Sequence, residues 1–158
     1  FEPVRQAARW VATLLEQLGL APFVMTTGSR GLPVVAPLEP ELDFDAVRDF
    51  ARAMAERLAD EHPDALTVAQ RKNKRRGRLY LDVMRNAYGQ TGVVPYSVRA
   101  LPGAPIATPL AMKELGDQRL APRRWHLKNI MRRLGQRDDP WQDIRRHAAS
   151  GRRARQKL

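Results

Sequence analysis

Asp82 is the only carboxylate between Asp64 and Glu114, and it closes a short apolar run of Leu79, Tyr80 and Leu81. Ahead of that run, six of the eight residues from Arg71 to Arg78 are basic. A lone acid among arginines has two chemical readings. It can be half of a structural ion pair, or it can hold a divalent cation that bridges phosphate oxygens, as carboxylates do in phosphoryl transfer. Two-ion chemistry wants two or three carboxylates, and Asp43 with Asp45 is the obvious place to look for the others. Those two open an amphipathic helix, where aspartate is favoured by capping and by the helix dipole, so they read as a cap.

A second group of residues is suited to phosphate. Thr27, Gly28, Ser29, Arg30 and Gly31 bring two hydroxyls, backbone N–H groups and a guanidinium into one tight turn. That is adequate chemistry for a triphosphate, although Gly-Ser turns between strands are ordinary. Arg99, just after Pro95, Tyr96 and Ser97, either directs its fork into the same site or covers plain surface. His62, His126 and His147 share no metal-ligand spacing and read as incidental. Trp10, Trp125 and Trp141 read first as packing residues. Trp125, among Arg123, Arg124 and Lys128, is the one to test for contact with nucleic acid.

The charge behind these groups is lopsided. Residues 1–64 hold six Lys or Arg against eleven Asp or Glu, whereas 65–158 hold twenty-two against six. Such a basic half attracts phosphate backbones and makes binding salt-sensitive; the plain alternative is an arginine-rich surface. With no cysteine, disulfides, zinc-thiolate sites and a cysteine nucleophile are excluded. No apolar run approaches the ~18 residues that span a bilayer, and no signal peptide is visible, so a membrane partner is not expected. The chain opens at Phe1 directly into a helical pattern, which suggests a piece of something longer.

The positioning elements follow from periodicity. Val4, Ala8, Val11, Leu15 and Leu18 recur at helical spacing, with Pro3 at the start and Gly19 at the stop. Strands are predicted at 23–27 and 34–37 around the turn, a β-turn-β unit rather than a Walker loop. A second helix is predicted over 44–59, with Phe44, Val47, Phe50, Ala51, Met54 and Leu58 on one face and Asp43 as N-cap. Residues 66–74 are ambiguous. Strands at 79–82 and 92–97 bracket a polar loop, and Pro102, Pro105, Pro109 and Pro122 mark extended or loop structure. Helices are predicted at 127–134 and 141–149, with a basic tail over 151–158 that reads as frayed unless a partner orders it. The class is α/β (α+β), one domain over 1–150, with a mixed sheet flanked by helices.

Four blocks, taken in order, resemble the polymerase domain of bacterial DNA ligase D, in the archaeo-eukaryotic primase superfamily. They are FVMTTGSRGLPVVAPL at 23–38, DFDAVRDFARAMAERLADEHPD at 43–64, RKNKRRGRLYLDVMRNAYGQTGVVPYSVRALPGAPIATPL at 71–110 and HLKNIMRRLGQRDDPW at 126–141. The third is the specific one. The resemblance implies a primase-like catalytic core whose mixed sheet carries Asp82 and the 27–31 turn side by side, and which adds nucleotides, often ribonucleotides, to DNA ends during non-homologous end joining. It implies Mn2+ or Mg2+ as cofactor and an NTP or dNTP as substrate. Asp82 falls on a metal-binding, catalytic aspartate. Thr27, Gly28, Ser29 and Arg30 fall on the turn that holds the incoming triphosphate, Arg75 and Arg99 on basic positions directed at it, and Arg85 where a polar side chain lines the same pocket. Lys72, Lys74, Arg76 and Arg124 are expected contacts to DNA. Implied partners are double-strand break ends, end-binding repair proteins and flanking ligase and nuclease domains, in a bacterial cytoplasm and on the nucleoid.

Two departures stand out. The family's leading Asp-x-Asp pair lies upstream of the region that matches Phe1. Pro33 stands where the family carries a triphosphate-binding histidine, and proline offers no side-chain donor. A non-catalytic DNA-end-binding module of the same fold is therefore the rival reading. An RNA- or ribosome-associated basic protein is a more remote one.

Overall fold

The computed structural model describes all 158 residues. Helix α1 (Glu2–Gln17) carries proline in its first turn, where no N–H is needed, and Gly19 takes φ +79° just beyond its end. Helix α2 (Phe44–Glu61) begins at Asp43, whose Oδ1 accepts from the Ala46 N–H at 2.7 Å. Asp45 pairs with Arg48 at 3.2 Å in the first turn. The Asp43–Asp45 pair is thus a helix cap, as its context predicted.

The strands divide into two small sheets. β1 (Phe23–Thr26) pairs antiparallel with β2 (Val34–Val35) on one side and with β5 (Thr108–Leu110) on the other. β3 (Leu66–Thr67) and β4 (Leu79–Tyr80) form a separate parallel pair. The α/β class holds, but Thr27 and Asp82 leave different sheets rather than sitting side by side on one. Two cores account for the arrangement. The larger packs Leu14, Leu15 and Leu18 of the α1 region against Phe50, Met54 and Leu58 of α2 and Leu66 of β3. The smaller packs Ala8 against Val24, Leu110, Leu115 and Leu120. α1 serves both because Ala7 and Ala8 face in different directions on its narrow small-residue surface.

Several predicted boundaries move, each for a local reason. No strand forms over 92–97: Pro95 has no N–H to give, and Tyr96 takes φ +64°, outside the extended region. Pairing begins at this kink, through the Tyr96 N–H to Ala107 carbonyl bond (2.7 Å), the Ala107 N–H to Ser97 carbonyl bond (3.0 Å) and the Val98–Ile106 bridge. β5 was hidden by Pro109, which an edge strand tolerates. Helix α3 spans Ile130–Gln136, starting three residues later than predicted, and 141–149 holds only a 3₁₀ turn at Ile144–His147. The basic tail is ordered as α4 (Gly151–Gln156). Ser150 caps it, accepting from Arg153 N–H at 3.3 Å and donating to Glu41 at 2.6 Å. Buried Ala154 joins the larger core, and a Cβ on Gly151 would lie 2.9 Å from Leu42. One anchored alanine and one close glycine outweigh the four charges of the tail.

A buried ion pair fastens α3 to the end of β5. Arg133 reaches both Glu114 oxygens (2.7 and 2.8 Å) and the Pro109 carbonyl (2.9 Å), with the Arg133 and Glu114 side chains only 4% and 13% exposed. Burial alone pushes the Glu114 carboxyl up, but hydrogen bonds from Arg133 and Ala111 and the nearby guanidinium charges hold it below its ordinary 4.5. Its contribution to stability is therefore complete above pH 4.5 and is lost as the pH falls through the lower folded value. Glu114→Gln is expected to destabilise the fold by about 3–5 kcal/mol at neutral pH, because it leaves Arg133 buried and uncompensated. The variant should also lack part of the wild-type decline below that pH; urea unfolding across pH 3–7 reads both.

Candidate functional site

The turn after β1 is built by its own threonine. Thr27 Oγ1 accepts from the Ser29 N–H (3.2 Å) and the Gly31 N–H (3.3 Å), while the Thr27 N–H donates to the Gly31 carbonyl (3.2 Å). These bonds occupy the hydroxyl and two of the amides. The N–H groups of Gly28, which is buried, and of Arg30, which is exposed, are left without partners in the chain. Arg30 is exposed and its guanidinium is unpaired.

Gly28 decides what sits beside the turn. Its φ is +67°, and a Cβ there would lie 2.9 Å from Arg99 Cγ, 3.2 Å from the Ile106 carbonyl carbon and 3.3 Å from that of Pro105. Arg99 is delivered to this point by backbone pairing. Its N–H donates to the Pro105 carbonyl (2.8 Å), and the Tyr96 N–H donates to Ala107 (2.7 Å). Tyr96 is fixed in turn: burial first, and a hydrogen bond with Asp139 second, push its phenol far above the usual tyrosine range, so it stays protonated. The structure therefore brings the turn and Arg99 together, as the sequence suggested, and Arg99 has no ion-pair partner.

The second group surrounds Asp82. The carboxylate is exposed, accepts the Met84 N–H at 3.0 Å through Oδ1, and forms no ion pair with any arginine. The structural ion-pair reading of Asp82 therefore fails. Its neighbour Tyr80 has its phenol pushed up, chiefly by burial and then by the Asp82 charge, with Arg75 opposing. Arg75 lies 4.4 Å from the Tyr80 ring centre and donates to the Ala69 (3.1 Å) and Gln70 (2.7 Å) carbonyls. Arg85 donates to Gln90 (3.1 Å). Arg78, which no sequence signal singles out, pins the basic loop by donating to the Pro63, Lys74 and Arg75 carbonyls. Lys72, Lys74 and Arg76 stay exposed and unpaired, and Arg76 with Gly77 turns the chain through two left-handed residues. The run is thus split between arginines that hold the loop and cations free for a ligand.

Mg2+ takes about six oxygen ligands, several of them water or phosphate, and Asp82 is the one carboxylate the basic loop offers it. No three His, Asp or Glu side chains in the chain come together to supply the rest. The residues present do not by themselves make a metal site.

The family model for the LigD primase-polymerase domain matches residues 1–141. The chain belongs to the LigD primase-polymerase domain family. Among LigD relatives, the multifunctional non-homologous end joining protein of Pseudomonas aeruginosa is 36% identical over 140 residues, covering 87% of this chain and 16% of its own length. The bifunctional LigD of Bacillus subtilis is 28% identical over 143 residues, covering 90% of this chain and 23% of its own length. The polymerase domain of Mycobacterium tuberculosis ligase D, solved in complex with DNA, superposes with a TM-score of 0.85 at 27% identity. That match covers 92% of this chain and 50% of the solved one. The chain thus spans a fraction of each relative's length, and half of the solved LigD polymerase domain. No helix in it is long and apolar enough to cross a membrane.

The close approach at Gly28 has a measurable cost. Gly28→Ala adds a steric clash to the strain of a left-handed alanine, which is about 1–3 kcal/mol. Gly77→Ala, at φ +80° with nothing within 4 Å, adds the strain alone. Denaturant unfolding should therefore show the larger loss at Gly28; an equal or smaller loss would contradict the packing of the turn on Arg99 and Ile106.

Proposed function

We propose that this chain is part of a nucleotidyltransferase that adds nucleotides to DNA ends in non-homologous end joining. The juxtaposition of the 27–31 turn with Arg99 carries the reading. Two unpartnered backbone N–H groups and two guanidiniums without ion-pair partners, those of Arg30 and Arg99, belong to this turn or the residue packed on it, a set suited to a nucleoside triphosphate, either NTP or dNTP. Arg30 and Arg99 would offset the charge that builds on the phosphates as the primer hydroxyl attacks and pyrophosphate leaves, and Thr27 would keep the turn in shape. Support also comes from the named relatives, which are end-joining proteins, and from the solved neighbour, a polymerase domain bound to DNA.

Asp82 is the proposed catalytic carboxylate, with an unpaired Oδ2 at the edge of the basic loop. Mn2+ or Mg2+ would supply charge neutralisation at the phosphates, held by Asp82 together with carboxylates that this chain does not bring to it. Lys72, Lys74 and Arg76 are the proposed contacts to the DNA backbone, and Arg75 and Arg85 line the approach. A second reading rests on Pro33. Its carbonyl accepts the Met25 N–H (3.2 Å) within the hairpin, and it has no side-chain donor for a phosphate. On that reading the fold is a DNA-end-binding module without chemistry.

Asp82→Ala in the complete gene product decides between them. Metal-dependent primer extension should fall by at least ~100-fold while affinity for a recessed DNA end changes less than about twofold. Extension that survives the substitution would rule out the catalytic assignment. A wild-type protein that binds ends but never extends them would establish the second reading.

A further inference from the structure

A basic pocket lies away from both groups of residues described above, at the flank of α3. Its volume is about 340 Å³, and Arg124, Trp125, Arg132, Arg133, Gln136 and Arg137 line it. Glu114 engages Arg133 and Arg137, and Asp117 engages Arg124 at 2.6 Å. Four guanidiniums thus face two carboxylates, and Arg132 is exposed with no partner. The guanidinium carbons of Arg133 and Arg124 lie over the Trp125 ring, 4.6 and 5.0 Å from its centre, while their N–H groups bond Glu114, the Pro109 carbonyl and Asp117. The buried Trp125 Nε1 has no hydrogen-bond partner at all. The pocket therefore combines surplus positive charge, one guanidinium without a partner at Arg132 and a buried indole N–H without an acceptor.

We infer that this pocket is a second anchor for nucleic acid, taking one phosphate of a strand. Guanidinium forks match phosphate oxygens in pairs, and the charge of the C-terminal half favours a polyanion. An acidic protein segment fits less well, because Trp125 is the pocket's one apolar residue. The exposed apolar side chains of this region, Met131 and Leu134, lie on the opposite flank of α3 at 100° per residue. The anchor is coupled to the turn through the backbone. The Ile106 N–H donates to the Trp125 carbonyl (2.8 Å), and Ile106 is the residue against which Gly28 packs. One short segment thus touches both sites, so a strand held at the pocket is held relative to the turn. The inference rests on the nucleic-acid part of the proposed function and not on nucleotide addition, so a protein inactive in primer extension still tests it.

Arg132→Glu, at an exposed unpaired position, probes the pocket without disturbing the fold. Arg155→Glu, exposed on α4 against the other core, changes net charge equally. Binding of labelled duplex DNA, read by anisotropy against salt, is expected to weaken about tenfold for Arg132→Glu, with the log–log salt slope reduced by about 1. Arg155→Glu should leave the slope nearly unchanged; equal effects of the two would reduce the pocket to bulk charge and overturn the inference. The Trp125 indole N–H resonance, assigned through Trp125→Phe, supplies a local readout. Short oligonucleotides with and without a 5′-phosphate, and a glutamate-rich peptide of equal charge, are titrated separately. A shift with either oligonucleotide and none with the peptide supports the inference. No shift, or a shift with the peptide as large as that with the oligonucleotides, overturns it.

Discussion

The contact that the rest of the site depends on is the approach of Gly28 to Arg99 and Ile106. A left-handed φ lets the hairpin tip bend over, and the absence of a side chain lets it touch the backbone of 105–106. Everything attached to that backbone is thereby registered to the turn: Arg99 through the Pro105 carbonyl, Tyr96 and Ser97 through Ala107, and Trp125 through Ile106. A phosphate cradle needs its donors fixed before the ligand arrives, since donors that must reorganise stabilise charge less. Here the fixing is done by backbone pairing, and the guanidiniums are left free at the ends of their stems.

The same division of labour runs through the arginines generally. Arg133, Arg75 and Arg78 spend their donors on Glu114 or on backbone carbonyls and act as rivets. Arg30, Arg99, Lys72, Lys74, Arg76 and Arg132 have no ion-pair partner and keep their charge for a ligand. A buried pair such as Arg133–Glu114 gives modest net stability for the desolvation it costs, but losing either half is expensive. It therefore sets where α3 sits, and with it the walls of the pocket beside Trp125.

Much of this was legible in the sequence where local rules act alone. The helical stripe from Val4 to Leu18, the Asp43 cap and the turn at 27–31 all follow from spacing and capping chemistry within a few residues. What was not legible depends on distant partners. Nothing near Gly151 announces that Leu42 will pack over it and order a tail of four basic residues. Pro109 argues against a strand unless its free edge is known in advance, and Tyr96 hides a kink that residue type alone does not reveal. The proximity of Arg99 to the turn was suggested by the family resemblance, but its cause, a missing Cβ at Gly28, is visible only in three dimensions. The expected neighbourhood of Asp82 and Thr27 on one sheet was a matter of strand order, which periodicity does not encode.

The central claim is that the 27–31 turn and Arg99 form one phosphate-binding unit. Backbone amide NMR during titration with a ribonucleoside triphosphate and Mg2+ tests it most directly. The account predicts that the Gly28 and Arg30 amides, which have no partner in the free chain, shift together with Arg99 on a single binding curve. Perturbations confined to the basic loop at 71–78, with Gly28, Arg30 and Arg99 unmoved, would contradict it.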